Sequence, residues 1–388
     1  MSADRARLLG ALGRARAAAG VYEPAREALQ EALNIASRLS DPKLEARLLA
    51  TRSLVNFYFL RLREAAADGF LCKQLGGSEA PPWQRALQLQ ILHNTLLILG
   101  RLEEALRNAD ELEPLARKIG QSDSVAVSLR TRAWVEFGKA PDLTKLESDL
   151  QQLSSYGQRV PFAFSEVVSE GQLSLVDFFR GNWASALSHA QACCRPEEGG
   201  SVAQGYGIGV LFRQMAYAGY HDGALTILDE KRAWLPRSGQ PSSIGSWLML
   251  ALVIEGLVML GEQSQAAELY PLARELADTG AEALWPISRC TQTIAGFSAA
   301  AARQWGAAED HFQVAMQQAK SFPHFLEQAE IRRFHAMMLI DRAAPSDRSK
   351  AQTLLRQALE GYSDIGMPRH IEMTQTLLAR ARADGRAI

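Results

Sequence analysis

Seven histidines and four cysteines are the side chains of this 388-residue chain with the most direct chemical uses. His93, His189, His221, His311, His324, His335 and His370 stand apart from one another. None forms a His-Glu-x-x-His zinc pair, and none sits beside a serine or cysteine in a nucleophile motif. Cys72, Cys193, Cys194 and Cys290 include no Cys-x-x-Cys pair, and no histidine spacing completes a zinc set. The cysteines read as small apolar fillers in a reducing cytoplasm. Gly205-Tyr206-Gly207-Ile208-Gly209 has the outline of a phosphate-binding glycine loop. That fingerprint needs a preceding strand, and nothing upstream reads as one. Close approach of two helices explains these glycines more simply. Acidic pairs such as Glu103-Glu104 suit the positive end of a helix dipole. No general acid is matched to a base, so the sequence predicts no catalytic residue, no metal and no cofactor.

Composition narrows the partners. Lys and Arg total 42 against 43 Asp and Glu, a net charge of −1, so no global field draws the chain to nucleic acid or to an anionic membrane. The opening Met1-Ser2-Ala3-Asp4-Arg5-Ala6-Arg7 is charged and lacks the apolar run of a signal peptide. The most apolar stretch, Ile244 to Leu260, carries Glu255 near its centre and is short for a membrane span of about 20 residues. A buried helix of a soluble, cytoplasmic protein is the expectation there.

What positions these residues is a six-residue phrase that returns about every forty residues. It reads small residue or Gly, any, bulky, any two, Ala, as in Gly20-Val21-Tyr22-Glu23-Pro24-Ala25 and Gly100-Arg101-Leu102-Glu103-Glu104-Ala105. Leu60 to Ala65, Gly181 to Ala186, Gly219 to Ala224, Gly261 to Ala266 and Arg303 to Ala308 repeat it, and Ala351 closes the series. The step from Ala105 to Ala186 spans two periods, with a degenerate unit between Val125 and Tyr156 and a candidate kink or subdomain boundary around 138–160. Each phrase joins two apolar-periodic stretches. Leu8, Leu9 and Leu12 run up to Gly20, for example, and Ala25, Ala28, Leu29, Ala32, Leu33 and Ala36 follow it. Repetition at this length predicts an all-α solenoid of about nine helix–turn–helix hairpins across residues 1–388.

Leu12-Gly13, Gly20, Tyr22, Ala25, Leu29 and Ala32 match the tetratricopeptide (TPR) pattern. The longer period resembles the sensor solenoid of the bacterial maltose-regulon activator, a type shared by large LuxR-type regulators. Gly219 to Leu225, Arg332 to Met338 and Ile365-Gly366-Met367-Pro368-Arg369-His370 resemble the C-terminal region of bacterial fusions of a class III nucleotide cyclase, an AAA-type ATPase and a TPR tail. The chain has no Gly-x-x-x-x-Gly-Lys-Ser/Thr phosphate loop, so the ATPase core of such relatives is missing from it, as are their cyclase and DNA-binding domains.

The resemblance implies a concave face lined by the first helix of each hairpin and used for binding. Positions eleven before the phrase alanines would face it: Arg14, Leu54, Asn94, Leu175, Arg213, Glu255 and Phe297. Fifteen or eighteen before, Gln90, Tyr206 and Thr293 join them. Arg, Asn and Glu are unusual packing residues, so the mixture predicts a partly open groove with Gln90, Asn94, Tyr206, Arg213, Glu255 and Thr293 as its binding residues. The expected occupant is a protein segment or a small effector. The alternative is a fragment of a nucleotide cyclase or ATP-dependent transcriptional regulator. Oligomeric state stays open.

Overall fold

Every complete phrase is a helix–turn–helix corner in the computed structural model, which describes residues 2–76, 80–157, 163–194 and 201–383. The first residue of the phrase is left-handed each time: Gly20 (φ +78°), Leu60 (+51°), Gly100 (+72°), Gly181 (+80°), Gly219 (+81°), Gly261 (+82°) and Arg303 (+55°). The next N–H then reaches back five residues, as in Val21 to Arg16 (2.9 Å), Arg61 to Asn56 (2.8 Å) and Gln304 to Ala299 (2.9 Å). This closes the orphan carbonyls of the first helix and turns the chain by the same angle in each unit. The closing alanine has no exposed surface in any of the eight units, which lets the second helix lie close against the first. Its carbonyl receives a buried side chain from that helix in several units: Ser53 onto Ala65 (2.7 Å), His93 onto Ala105 (2.8 Å) and Ser174 onto Ala186 (2.8 Å).

The hairpins follow in chain order. α1 (Ala3–Ala18) pairs with α2 (Tyr22–Arg38), α3 (Pro42–Tyr58) with α4 (Leu62–Gly76), and α5 (Pro82–Ile98) with α6 (Leu102–Ile119). α7 (Ser122–Lys139) pairs with α8 (Leu143–Gly157), α9 (Ala163–Phe179) with α10 (Trp183–Cys194), and α11 (Tyr206–Tyr217) with α12 (His221–Lys231). α13 (Ile244–Leu260) faces α14 (Gln263–Glu268) and α15 (Tyr270–Asp278), one helix interrupted ahead of Pro271, whose missing N–H suits a helix start. α16 (Thr291–Ala301) pairs with α17 (Trp305–Ser321), α18 (Phe325–Arg342) with α19 (Asp347–Ile365), and α20 (Pro368–Ala383) covers the end. Nine hairpins are present among the described residues, in line with the expectation of about nine. The degenerate unit is a complete hairpin, its corner capped by Asp142, which accepts from the Thr144 and Lys145 N–H groups at 2.9 and 3.0 Å. The kink expected around 138–160 falls partly on residues 158–162, which lie outside the described residues.

The apolar stretch Ile244 to Leu260 is α13, an interior helix, and no helix among the described residues is long and apolar enough to cross a membrane. The glycines at 207 and 209 serve close packing. A Cβ on Gly207 would lie 2.6 Å from the Cys193 carbonyl oxygen, and one on Gly209 would lie 2.9 Å from the Met249 Cα.

One element departs from the sequence expectation of an all-helical chain. Between α15 and α16, β1 (Ala283–Leu284) and β2 (Arg289–Cys290) pair antiparallel around a single helical turn, Trp285–Ile287. Strands two residues long leave no alternation to read. This finger crosses the superhelix and enters its inner face. The Trp285 indole N–H donates to the Leu97 carbonyl (3.0 Å), the Glu282 N–H to that of Ile98 (2.8 Å), and the Tyr206 hydroxyl to that of Pro286 (3.2 Å). Trp285 also stacks on His324, with ring centres 5.2 Å apart. The array therefore returns upon itself.

The corner geometry makes a direct prediction. Arg303 is an exposed side chain held at positive φ, where an L residue is strained. Arg303→Gly should stabilise the fold by about 1 kcal/mol, read as a higher urea midpoint with an unchanged m-value.

Candidate functional site

The finger divides the inner face into an open part and a sealed part. The open part is a cleft of about 440 Å³ on the first helices of hairpins one to four. Leu54, Phe57, Leu87, Ile91 and Val127 give it an apolar floor, and Arg14, Tyr58, Gln90, Asn94, Asp123 and Arg130 bring polar groups to it. It continues past Phe57, Asn94, Val127 and Arg130 into an extension of about 110 Å³ that ends on Trp285 and Pro286. The cleft thus reaches the tip of the finger.

Gln90 and Asn94 lie in this cleft. The Gln90 carbonyl accepts from the Ser124 hydroxyl at 2.8 Å, which leaves its amide N–H₂ available. The Asn94 amide has no hydrogen-bond partner among the described residues. Next to it, His93 is wholly structural: its Nδ1–H donates to the Ala105 carbonyl and its Nε2 accepts from Thr131 at 2.7 Å. Burial holds it neutral, with its pKa down to about 4.

The other four candidates lie in the sealed part, contrary to the expectation of an open groove. Tyr206, Glu255 and Thr293 have no exposed surface and Arg213 has 1%. Arg213 and Glu255 share the register of Asn94, and Thr293 that of Gln90, but in the later hairpins the returning chain covers the inner face. Glu255 chelates the Arg289 guanidinium at 2.9 and 3.0 Å. Arg289 also meets Glu330 (2.5 Å) and Glu327 (3.3 Å). Arg333 donates to Glu330 at 3.0 Å and to the hydroxyls of Tyr217 (3.0 Å) and Tyr362 (3.1 Å). The Thr293 hydroxyl donates to Glu327 at 2.6 Å, beside the Cys290 N–H at 2.8 Å. Arg213 lies over the Phe178 ring, 5.1 Å from its centre, and Glu255 offsets part of the desolvation of its charge. The network ties α13, the base of the finger, α18 and α19 together.

Sequence reading missed Arg130, Asp123 and the finger. Arg130 sits one period after Gln90, in the unit whose corner lacks the alanine from which the candidate positions were counted. Glu327, Glu330 and Arg333 do carry a signal, because three-residue steps place them on one face of α18.

Polar groups on α9 and α10 resemble a relay without its geometry. His189 pairs with Glu170 at 2.7 Å, but Ser185 donates to Asp177 at 2.5 Å rather than to the imidazole. A nucleophilic serine needs its hydrogen bond to the base. Among the described residues no group of three or more His, Cys, Asp or Glu side chains is placed to hold a metal ion.

The chain is an all-α solenoid of TPR-like hairpins, closed on itself by an inserted finger. No family model matches it, and no curated protein matches it. Among solved structures it is similar to a Rap protein complexed with competence and sporulation factor, at 11% identity and a TM-score of 0.45, covering 87% of this chain and 99% of that one. It is also similar to the TPR domain of P58(IPK), at 14% identity and a TM-score of 0.29, covering 97% and 99%. Its assignment to the helical-repeat class rests on the hairpins and their shared corner, not on these likenesses.

The network predicts two stability effects. Arg289→Met leaves three buried glutamates without their shared cation and should cost about 3–5 kcal/mol, measured by urea unfolding. Glu327 titrates high, its pKa raised to about 7 chiefly by burial, with Arg289 and the Thr293 hydroxyl pulling it back. A carboxyl that holds its proton better in the folded than in the unfolded chain stabilises the fold at low pH. That contribution is lost as pH rises through about 7. Glu327→Gln should therefore remove part of the wild-type loss in urea midpoint between roughly pH 5 and pH 8. An unchanged slope would show that Glu327 is ionised throughout.

Proposed function

We propose that this chain is a non-catalytic binding arm that receives a protein segment or a small effector in the cleft of hairpins one to four. The observation that carries the reading is the cleft itself: an apolar floor beneath Asn94, whose amide has no hydrogen-bond partner among the described residues. A side-chain amide can pair with a peptide group as donor and acceptor at once. The cleft lies within the size range of small-ligand sites, roughly 300–1,000 Å³. Reading the chain as one repeat domain is supported by an apolar cluster that runs from Leu54 to Ala381. The absence of catalysis is supported by histidines held in packing roles and by the order of the Ser185–Asp177–His189 contacts.

The likeness of Gly219 to Leu225 and Ile365 to His370 to the tails of cyclase–ATPase fusions supports placing the arm in, or deriving it from, a bacterial cytoplasmic signalling regulator. In such a setting, occupancy of the cleft is the input. Of the six sequence candidates, Gln90 and Asn94 are the binding residues of this proposal, and Tyr206, Arg213, Glu255 and Thr293 act through the interior that supports the finger.

The test compares immobilised wild-type chain with Gln90→Ala/Asn94→Ala in soluble extract of the source organism, with retained proteins and small molecules identified by mass spectrometry. A defined occupant should be retained by wild type and lost at least tenfold in the variant, with helical circular dichroism unchanged. Equal retention by both chains would remove the cleft from consideration.

A further inference from the structure

The walls of the cleft and its extension contain buried polar atoms that the protein leaves unmatched. Among the described residues the Arg130 Nε, the Trp134 indole N–H, the Gln172 Oε1 and the Asp123 Oδ1 have no hydrogen-bond partner. Arg130, Trp134 and Gln172 line the extension, while Asp123 and Arg130 line the cleft. Trp134 and Gln172 are each only 2% exposed. A buried polar atom without a partner costs stability, so a native fold that gathers several around one cavity has a use for them.

Their chemistry falls into two kinds. Arg130 and Trp134 are donors, and Arg130 carries a positive charge with no salt bridge. Its one hydrogen bond runs from Nη2 to the Ser169 hydroxyl at 3.2 Å. Asp123 and Gln172 are acceptors, and Asp123 carries the negative charge. Asp123 and Arg130 share one face of α7 two turns apart, about 10 Å along the axis. Their charges influence each other without meeting. Between them lie the apolar floor and the amides of Gln90 and Asn94. An anion alone would leave Asp123 unanswered, and a cation alone would leave Arg130 unanswered.

We infer that the cleft takes a short free peptide with an apolar body, a zwitterion long enough to span the separation of Asp123 and Arg130. Its carboxylate meets Arg130 and the Trp134 N–H, its ammonium meets Asp123, one of its peptide N–H groups meets Gln172, and its body rests on Phe57, Ile91 and Val127. The inference rests on the reading of the cleft as a binding site and names what that site selects.

The test is titration calorimetry of the full chain with the tripeptides alanyl-leucyl-alanine and alanyl-phenylalanyl-alanine. Each is offered free, N-acetylated and as the C-terminal amide. Free forms should bind, and either cap should weaken binding at least tenfold. Asp123→Asn should erase the discrimination against the acetyl cap, and Arg130→Gln that against the amide. Trp134→Phe, which keeps a ring and removes only the N–H, should weaken the free forms and leave the unliganded melting temperature nearly unchanged. Arg130→Gln without ligand should melt no lower than wild type, because it removes an unpaired charge. Equal binding of capped and free forms, or binding by none of them, overturns the inference. If none binds while the extract occupant still depends on Gln90 and Asn94, the zwitterion falls and the binding arm stands. Equal retention of that occupant by wild type and variant would remove both.

Discussion

A guanidinium in a dry interior is costly unless carboxylates meet it, and Arg289 lies among three. Desolvation works against every charge in this cluster. Mutual attraction holds Glu255 and Glu330 ionised, while Glu327, the most weakly compensated of the three, titrates upward. Arg289 is also the residue paired with Leu284 across the finger. The ion network therefore fixes the finger's base to α13 and α18, and the finger's tip fixes the early hairpins to the late ones through Leu97 and Ile98. The shape of the cleft where it meets the finger follows from that anchor.

Much of this fold was legible in the sequence because its corners are local. A left-handed residue, a bulky turn residue and an alanine specify one hairpin without reference to anything distant, and Leu60 and Arg303 show that the corner persists without glycine. The hairpin between Val125 and Tyr156 was recoverable from spacing alone, although Asp142 makes its corner by a different device. The direction in which Asn94 and Glu255 point was legible too, since both lie at the same step before a phrase alanine. What lies opposite them was not. Asn94 meets solvent and Glu255 meets Arg289, because the chain returns over one and not the other. Repeat register fixes the bearing of a side chain on its own helix and carries no information about segments arriving from nearly two hundred residues away.

The same return separates two kinds of polar residue that look alike in the sequence. In the later hairpins Tyr217, Tyr362, Arg333 and Glu330 exchange hydrogen bonds within a sealed volume, although among the described residues Arg213 and His370 beside them keep unpaired guanidinium and ring nitrogens. Those of the early hairpins are satisfied sparingly, and their open valences face a space that solvent or a ligand can enter. Buried and fully paired groups maintain shape, whereas accessible and poorly paired groups recognise.

An ordinary solenoid touches only its neighbours, so it can fold from any point and can fray from either end. The indole hydrogen bond from Trp285 to Leu97 joins positions 188 residues apart and removes that freedom. Closure couples units that would otherwise melt in sequence. It raises the contact order of a protein built from local pieces, which slows folding and sharpens unfolding into a single event. Mechanically, the array behaves less as a spring that lengthens unit by unit than as a clasp, whose halves part together or stay shut.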